Sequence, residues 1–539
     1  MTKLQQFSNN LIFPICCLII SSSHAQDILW EKSYGGKHAD YLFDAIPTAD
    51  YGFVLAGSSL SEKTGNKKQA GKGSLDYWIW KMDENGNEDW QKSFGGSGVD
   101  MLQSIGRTSD GGFILAGTSS SPMDGDKTAD ARGESDFWII KLNAGGGEMW
   151  QKTIGGNGQD ELLMVKQTKD GGYILGGTSA SGKSAEKAED SRGNSDYWIV
   201  KLDKSGTIEW QKTYGGNYVD ELRGIEQTTD GGYIVGGYSN SLSTGDKLDG
   251  NYGAGDFWIL KLSDSGDITW QKTLGGDKDD QLYAIHQTRD GGFILGGNSN
   301  SGSSNNKTSS SKKGTDFWVV KLDEFGNNKW QESYNYGDAD VLTSIVENDD
   351  GTFLISGYSQ GGGSGRSSGI KVSAPKGQKG INDYIALKIN AIGEEKWTKT
   401  VGSGGEDILR RAIETRDGGY LLSGTSKGKA SGDKNSGNGG NDFWVVKLLD
   451  REKPKEVARK IEAIPNPAMS YTNVIVGYEF IKGTATVYDL AGRQLQSFDV
   501  DSRTVPVNLS GLPEGIYLVQ IATEVSTDAV KVIKGKAND

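Results

Sequence analysis

The chain has 539 residues, among them 79 glycines, 14 tryptophans and 21 tyrosines, and carries a formal net charge of −13. Glycine and aromatics at this level point to a turn-rich all-β protein rather than a helical one. The acidic balance weighs against binding nucleic acid or an anionic membrane through bulk electrostatics.

Residues 1–25 read as a secretory signal peptide: Lys3 supplies a thin positive start, "LIFPICCLII" a short apolar run, and Ser23-His24-Ala25 a small-residue cleavage site. The run is too short to span a bilayer. Its removal takes Lys3, moving the formal charge from −13 to −14, and both cysteines, Cys16 and Cys17. Phe13-Pro14-Ile15 makes a poor lipobox for either of them. No transmembrane segment is expected in the mature chain, and its core has to hold it without disulfides.

Trp30, Trp90, Trp150, Trp210, Trp270 and Trp330 stand 60 residues apart, and Trp397 follows after 67. A fixed period of this size marks a repeat architecture. Turn signals divide each copy into four strands. Strand D carries the tryptophan ("TIEWQKTYGG"), and strand A opens at an aspartate ("DELRGIEQT"). A "DGG" turn leads into strand B ("YIVGGYS"). A long polar loop then reaches strand C ("DFWILKL"), which a short turn joins to the next strand D. The ends of the array decide how it closes. A lone strand D comes first, at residues 28–36, and a lone strand C comes last, at 442–448. The predicted fold is therefore an all-β, seven-bladed β-propeller over residues 26–449, its N-terminal strand completing the last blade. That pairing adds about five backbone hydrogen bonds worth roughly 1 kcal/mol each, whereas an open array would leave two bare edges.

The tryptophans of strands C and D are expected to fill the spaces between blades. The glycine pairs of strand B (Gly176-Gly177, Gly236-Gly237, Gly296-Gly297) would let blades approach beside them. Blade six departs: Ile385 replaces the strand C tryptophan, and Asp350 and Asp383 are 33 residues apart where earlier blades have 26.

The B–C and D–A loops share one face, and the short turns share the other. Variable loops on a rigid scaffold are the usual place for binding, and the turn face looks too short and uniform to discriminate a ligand. Strand A is the inner strand of a propeller blade, so its opening aspartates form a candidate ring near the mouth: Asp40, Asp100, Asp160, Asp220, Asp280, Asp340 and Asp407. Two roles fit them, capping of the D–A turn through the preceding amides or contact with a cation or polyol. Their repetition in every copy favours the cap. A second series opening strand C (Asp76, Asp136, Asp196, Asp256, Asp316, Asp383, Asp442) reads as structural.

Acidic runs in some B–C loops, from Met123, Ser243 and Ser431, raise calcium as an alternative to plain solvated loop, yet none matches a full calcium loop. Gly177–Ser184 fits the P-loop pattern only by coincidence, because its counterparts in other copies are the end of strand B entering a loop. After export only His38 and His286 remain, in different blades, so a catalytic triad or zinc site is not expected. A carboxylate pair for sugar hydrolysis stays open, with no two residues singled out.

After a charged linker at 450–461, residues 462–539 form short alternating strands that suggest a small β-sandwich of about seven strands. "IPNPAMS", "VYDLAGRQL", "LSGLPEGIYLVQI" and "KVIK" resemble the C-terminal sorting domain of the Bacteroidetes type IX secretion system. The resemblance implies passage across the outer membrane by the type IX machinery, removal of the domain, and release or attachment at the cell surface. Pro465, Asn466, Pro467, Gly492, Gly515, Tyr517 and Lys531 would then serve sorting. The tail beyond "KVIK" is longer than usual. The expected function is binding of a glycan or other extracellular polymer through the loop face, with no catalysis and no cofactor. The alternatives are a carboxylate-dependent polysaccharide-degrading enzyme and a structural adhesion protein.

Overall fold

A computed structural model describes residues 26–312, 314–361, 381–452, 461–468, 471–478 and 480–535. The signal peptide at 1–25, residues 362–380 of the blade-six insertion and 453–460 of the linker lie outside the described residues. Every regular element among the described residues is a β-strand.

Each repeat folds into an antiparallel sheet in the order A-B-C-D. In blade one these strands are Asp40–Pro47, Phe53–Ser59, Asp76–Met82 and Glu88–Phe94. Strands B and C are buried on both faces, which is why they read as near-continuous apolar runs, while strand D alternates. The seventh blade has three strands of its own, Glu406–Glu414, Tyr420–Lys427 and Asn441–Leu449. Its fourth is the N-terminal strand Asp27–Tyr34, paired antiparallel from Ile28 opposite Leu448 to Tyr34 opposite Phe443. Each strand A touches the strand A of the next blade, and the seventh touches the first, so the ring is closed around a central channel. Single parallel pairs stitch neighbouring blades, such as Ser195 with Val219 and Asn382 with Glu406.

The strand C tryptophans Trp78, Trp138, Trp198, Trp258, Trp318 and Trp444 are at most 1% exposed. Each stacks on an aromatic ring of an adjoining blade, as Trp198 does on Phe137 at 4.7 Å and Trp78 does across the seam on Phe443 at 4.7 Å. Their indole N–H groups donate to the glutamine that follows the strand D tryptophan, Trp198 to Gln211 at 3.1 Å. Trp444 instead donates to Glu31 of the N-terminal strand, at 2.8 Å. Blade six, where Ile385 replaces the tryptophan, has Thr398 in place of that glutamine. The strand D tryptophans Trp90, Trp150, Trp210 and Trp270 are only partly buried and lie edge-on to the first ring of the next strand B, Trp150 on Tyr173 at 5.7 Å. The strand B glycines are required for contact: a methyl on Gly236 would sit 2.6 Å from Leu282 of the next blade.

The C-terminal unit is a seven-stranded sandwich. One sheet holds Glu462–Ile464, Tyr471–Ile475 and Thr504–Asn508; the other holds Gln494–Val500, Gly483–Asp489, Gly515–Thr523 and Thr527–Lys534. Val474, Val487, Val507, Val519 and Val532 form its core. It rests on the turn face of the propeller, the face read from sequence as too short and uniform to discriminate a ligand. Blade one has Tyr51 where the other turns have glycine, and Tyr51 adopts φ +67°. Arg416 of blade seven lies 4.4 Å from its ring and Arg503 of the sandwich 5.3 Å. Arg503 also pairs with Glu84, Arg416 with Glu462 at 2.8 Å, and the Tyr471 hydroxyl donates to the Asp110 carbonyl at 2.7 Å.

Candidate functional site

The seven strand A aspartates are all 0% exposed. Each accepts a backbone N–H four residues earlier, from Gly36, Gly96, Gly156, Gly216, Gly276, Tyr336 and Ser403 in turn, at 2.5–2.8 Å. Serine hydroxyls add to this, as Ser181 does to Asp160 at 2.9 Å. Asp40, Asp100, Asp160, Asp220, Asp280, Asp340 and Asp407 therefore cap the D–A turns. Their burial corrects the alternative in which they meet a ligand at the mouth.

Six of the second series, Asp76, Asp136, Asp196, Asp256, Asp316 and Asp442, do the same for the B–C loops: Asp256 accepts from Tyr252 N and Asp136 from Arg132 N, both at 2.6 Å. Burial, opposed by such hydrogen bonds, pushes Asp256 up to about 7 and Asp76 and Asp196 up to about 6. In the acidic loop runs the carboxylates face amides, Asp124 accepting from Ser97 N at 2.9 Å and Asp433 from Gly402 N at 3.0 Å. The centre of each run is filled by a buried lysine, Lys127 donating to the Ser121 carbonyl at 2.7 Å and Lys247 to that of Ser241 at 3.0 Å. Among the described residues no group of three or more His, Cys, Asp or Glu converges as a metal site. Gly177–Ser184 runs from strand B into a loop, with no helix to cradle a phosphate.

The inner wall of the channel is where the seven copies differ. Two residues after each aspartate stands a leucine (Leu42, Leu102, Leu162, Leu222, Leu282, Leu342, Leu409), fully buried. Three residues after it the copies carry Phe43, Gln103, Leu163, Arg223, Tyr283, Thr343 and Arg410, all partly exposed. These residues line the channel near its loop-face end, because strand A runs from the loops to the turns. The Arg223 guanidinium lies 5.5 Å from the ring of Tyr283, and that of Arg410 lies 5.4 Å from Phe43. Burial pulls Arg410 below its ordinary value, with Tyr358, Tyr283 and the like charge of Arg223 in range. Beside Arg223 a cleft of about 200 Å³ opens between blades three and four, lined by Gln159, Glu161, Thr178, Glu221 and Arg223 among others.

Deeper in the channel charged contacts cross between blades. Arg411 reaches Asp44 at 3.5 Å, and His286 sits between Glu226 at 2.9 Å and Glu347 at 3.8 Å. Burial disfavours the imidazolium, but the two carboxylates outweigh it and raise His286 to about 9. His286 thus ties blades four, five and six together. His38 lies apart, its backbone N–H donating to Ser61 Oγ at 3.0 Å.

In the C-terminal unit the Asn466 amide clamps the last strand, donating to the Lys531 carbonyl at 2.7 Å and accepting from Ile533 N at 2.8 Å. Pro465 and Pro467 flank it. Gly492 takes φ +77° in a hairpin turn, Gly515 opens its strand, and the Tyr517 hydroxyl donates to the Pro513 carbonyl at 2.5 Å. The Lys531 side chain is exposed. Lys534, which the motif reading missed, donates to the Leu509 carbonyl at 2.7 Å and ties down the loop before Gly515. The second lysine of "KVIK" was the available signal.

No curated protein sequence matches the chain. Among solved structures, the BBS1N–ARL6DN complex overlaps 80% of this chain and 99% of its own at 9% identity and a TM-score of 0.40. Sqt1 from Chaetomium thermophilum overlaps 84% and 97% at 10% identity and a TM-score of 0.39. The Neurospora crassa Pan2 WD40 domain overlaps 62% and 92% at 10% identity and a TM-score of 0.32. No helix among the described residues is long and apolar enough to cross a membrane. Residues 462–535 match the family described as the secretion system C-terminal sorting domain. The chain is therefore a β-propeller repeat protein with a type IX sorting domain, secreted to the cell surface or the extracellular space.

Proposed function

We propose that the propeller binds an extracellular polysaccharide at the loop-face end of its channel. One observation carries this reading. The position three residues after each capping aspartate breaks the sevenfold pattern and presents Phe43, Tyr283, Arg223 and Arg410 to the lumen. Aromatic faces with a polar edge suit sugar rings, and guanidinium groups donate to hydroxyls and anions in fixed directions. Export by the sorting domain supplies the setting in which such polymers are met.

The test is retention of the mature chain on immobilised polysaccharides, with Tyr283→Ala beside it. The reading expects at least one polymer to be bound and Tyr283→Ala to weaken binding about tenfold, in line with roughly 1–2 kcal/mol for one aromatic contact. A protein retained on none of them would be left with the structural adhesion role. A second reading has its own observation, since Glu161 and Glu221 line one cleft. Polysaccharide turnover lost in Glu161→Gln and in Glu221→Gln would make the protein a carboxylate-dependent degrading enzyme instead.

A further inference from the structure

We propose that the channel site selects an acidic polysaccharide, whose carboxylate or sulfate groups seat on Arg410, across the channel from Arg223. The inference rests on the binding reading above and narrows it to a ligand class.

Arg410 differs from the two other arginines of the channel, Arg411 and Arg223. Its neighbour Arg411 reaches Asp44, and Arg223 pairs with Glu221 of its own strand. The Arg410 Nε is buried with no hydrogen-bond partner, and among the described residues no carboxylate pairs with its guanidinium. Residues 362–380, outside the described set, contain no Asp or Glu in sequence. A guanidinium carries five N–H donors and keeps its charge at any physiological pH. Withdrawing its Nε–H from water without an acceptor is costly, and an arriving anion offsets that cost. The planar fork of N–H groups matches a carboxylate or sulfate edge.

The surroundings narrow the ligand further. Phe43 lies against the cation, and Tyr283 lies against Arg223. A ligand that offers an anion and an apolar ring face together, as an acidic sugar does, meets both. The chain's overall charge of −13 does not forbid this. Its repulsion is screened beyond about 8 Å at physiological ionic strength, so the local cations decide.

The experiment uses the mature full chain, affinity electrophoresis through polygalacturonate, dextran sulfate or neutral dextran, and the variants Arg410→Met and Arg410→Lys. The wild type is expected to be retarded by at least one polyanion, less so as salt is raised, and not by dextran. Arg410→Met should lose about tenfold or more in affinity, the scale of one charge-assisted hydrogen bond, and Arg410→Lys should lose less. Arg410→Met should also melt no lower than the wild type, because the uncompensated cation is gone. Retardation by polygalacturonate alone assigns the carboxylate, and by dextran sulfate alone the sulfate. Unchanged polyanion binding in Arg410→Met overturns the inference. If Arg410→Met fails to fold, Arg410→Gln and Arg223→Gln give the same reading. Retardation by dextran alone overturns the acidic ligand and leaves polysaccharide binding standing, while retention by no polymer removes both.

Discussion

Glu31 and Trp444 are 413 positions apart, yet the indole of one donates to the carboxylate of the other at 2.8 Å. In five other blades a glutamine of the same blade accepts that bond, as Gln211 does from Trp198 at 3.1 Å. Glu31→Gln should therefore be close to neutral, whereas Glu31→Ala leaves a buried N–H unpaired and should cost about 1–3 kcal/mol by urea denaturation. Trp198→Ala opens a large cavity and should cost about 3–5 kcal/mol. Equal midpoints for Glu31→Ala and Glu31→Gln would count against the shared bond. At this scale the caps were legible, because an aspartate four residues after a paired glycine signals a turn. Arg410 was not. A lone arginine in an alternating strand looks like any solvated residue until the seven copies are arranged around one axis.

Two elements determine how the chain is held together. The strand Asp27–Tyr34 closes the ring, and its role could be read from the unmatched strands at the two ends of the array. Deleting residues 26–36 should lower the melting temperature markedly, since it removes a whole strand ladder and the partner of Trp444. An unchanged melt would contradict closure by this strand. The turn of blade one was harder to read, because "DYG" passes for a minor variant of "DGG". Its φ of +67° is strained for a tyrosine, at a cost of order 1–3 kcal/mol. The position is held between Arg416 and Arg503, so the strain coincides with the seat of the sorting domain. Tyr51→Gly should relieve the backbone and weaken the seat. Limited proteolysis should then release the C-terminal domain faster than in the wild type, and equal release rates would count against the docking contact.

The whole molecule carries buried acids whose titration gives its stability a direction with pH. Burial raises Asp76, Asp196, Asp340 and Asp383 to about 6 and Asp256 to about 7, above the unfolded value of 3.8. The native state then holds more protons than the unfolded chain between about pH 4 and 7, so stability falls as pH rises through that window. His286, raised to about 9, contributes stability that is complete below its unfolded value of 6.5 and lost as pH climbs through 9. In the opposite sense, Asp170 and Asp290 are shifted down to about 2: burial opposes this, but hydrogen bonds from Thr168 and Lys201, and from Thr288 and Lys321, outweigh it. They lose their contribution as pH falls from 4 toward 2. Melting temperature should therefore peak near pH 4 and decline toward pH 7. A maximum above pH 8 would contradict this assignment.

The ring, its seven sheets and the trailing sandwich were readable because a 60-residue period repeats both the turn chemistry and the core. The channel site was not, since it consists of the positions where repetition stops. Hydrogen–deuterium exchange of the mature chain, with and without a retained polysaccharide, tests the central claim most directly. The account expects slowed exchange in Asp220–Gln227, Asp280–Gln287 and Glu406–Glu414, the strands that carry Arg223, Tyr283 and Arg410. Slowed exchange confined to the turn face or to residues 462–535 would place the ligand elsewhere and contradict it.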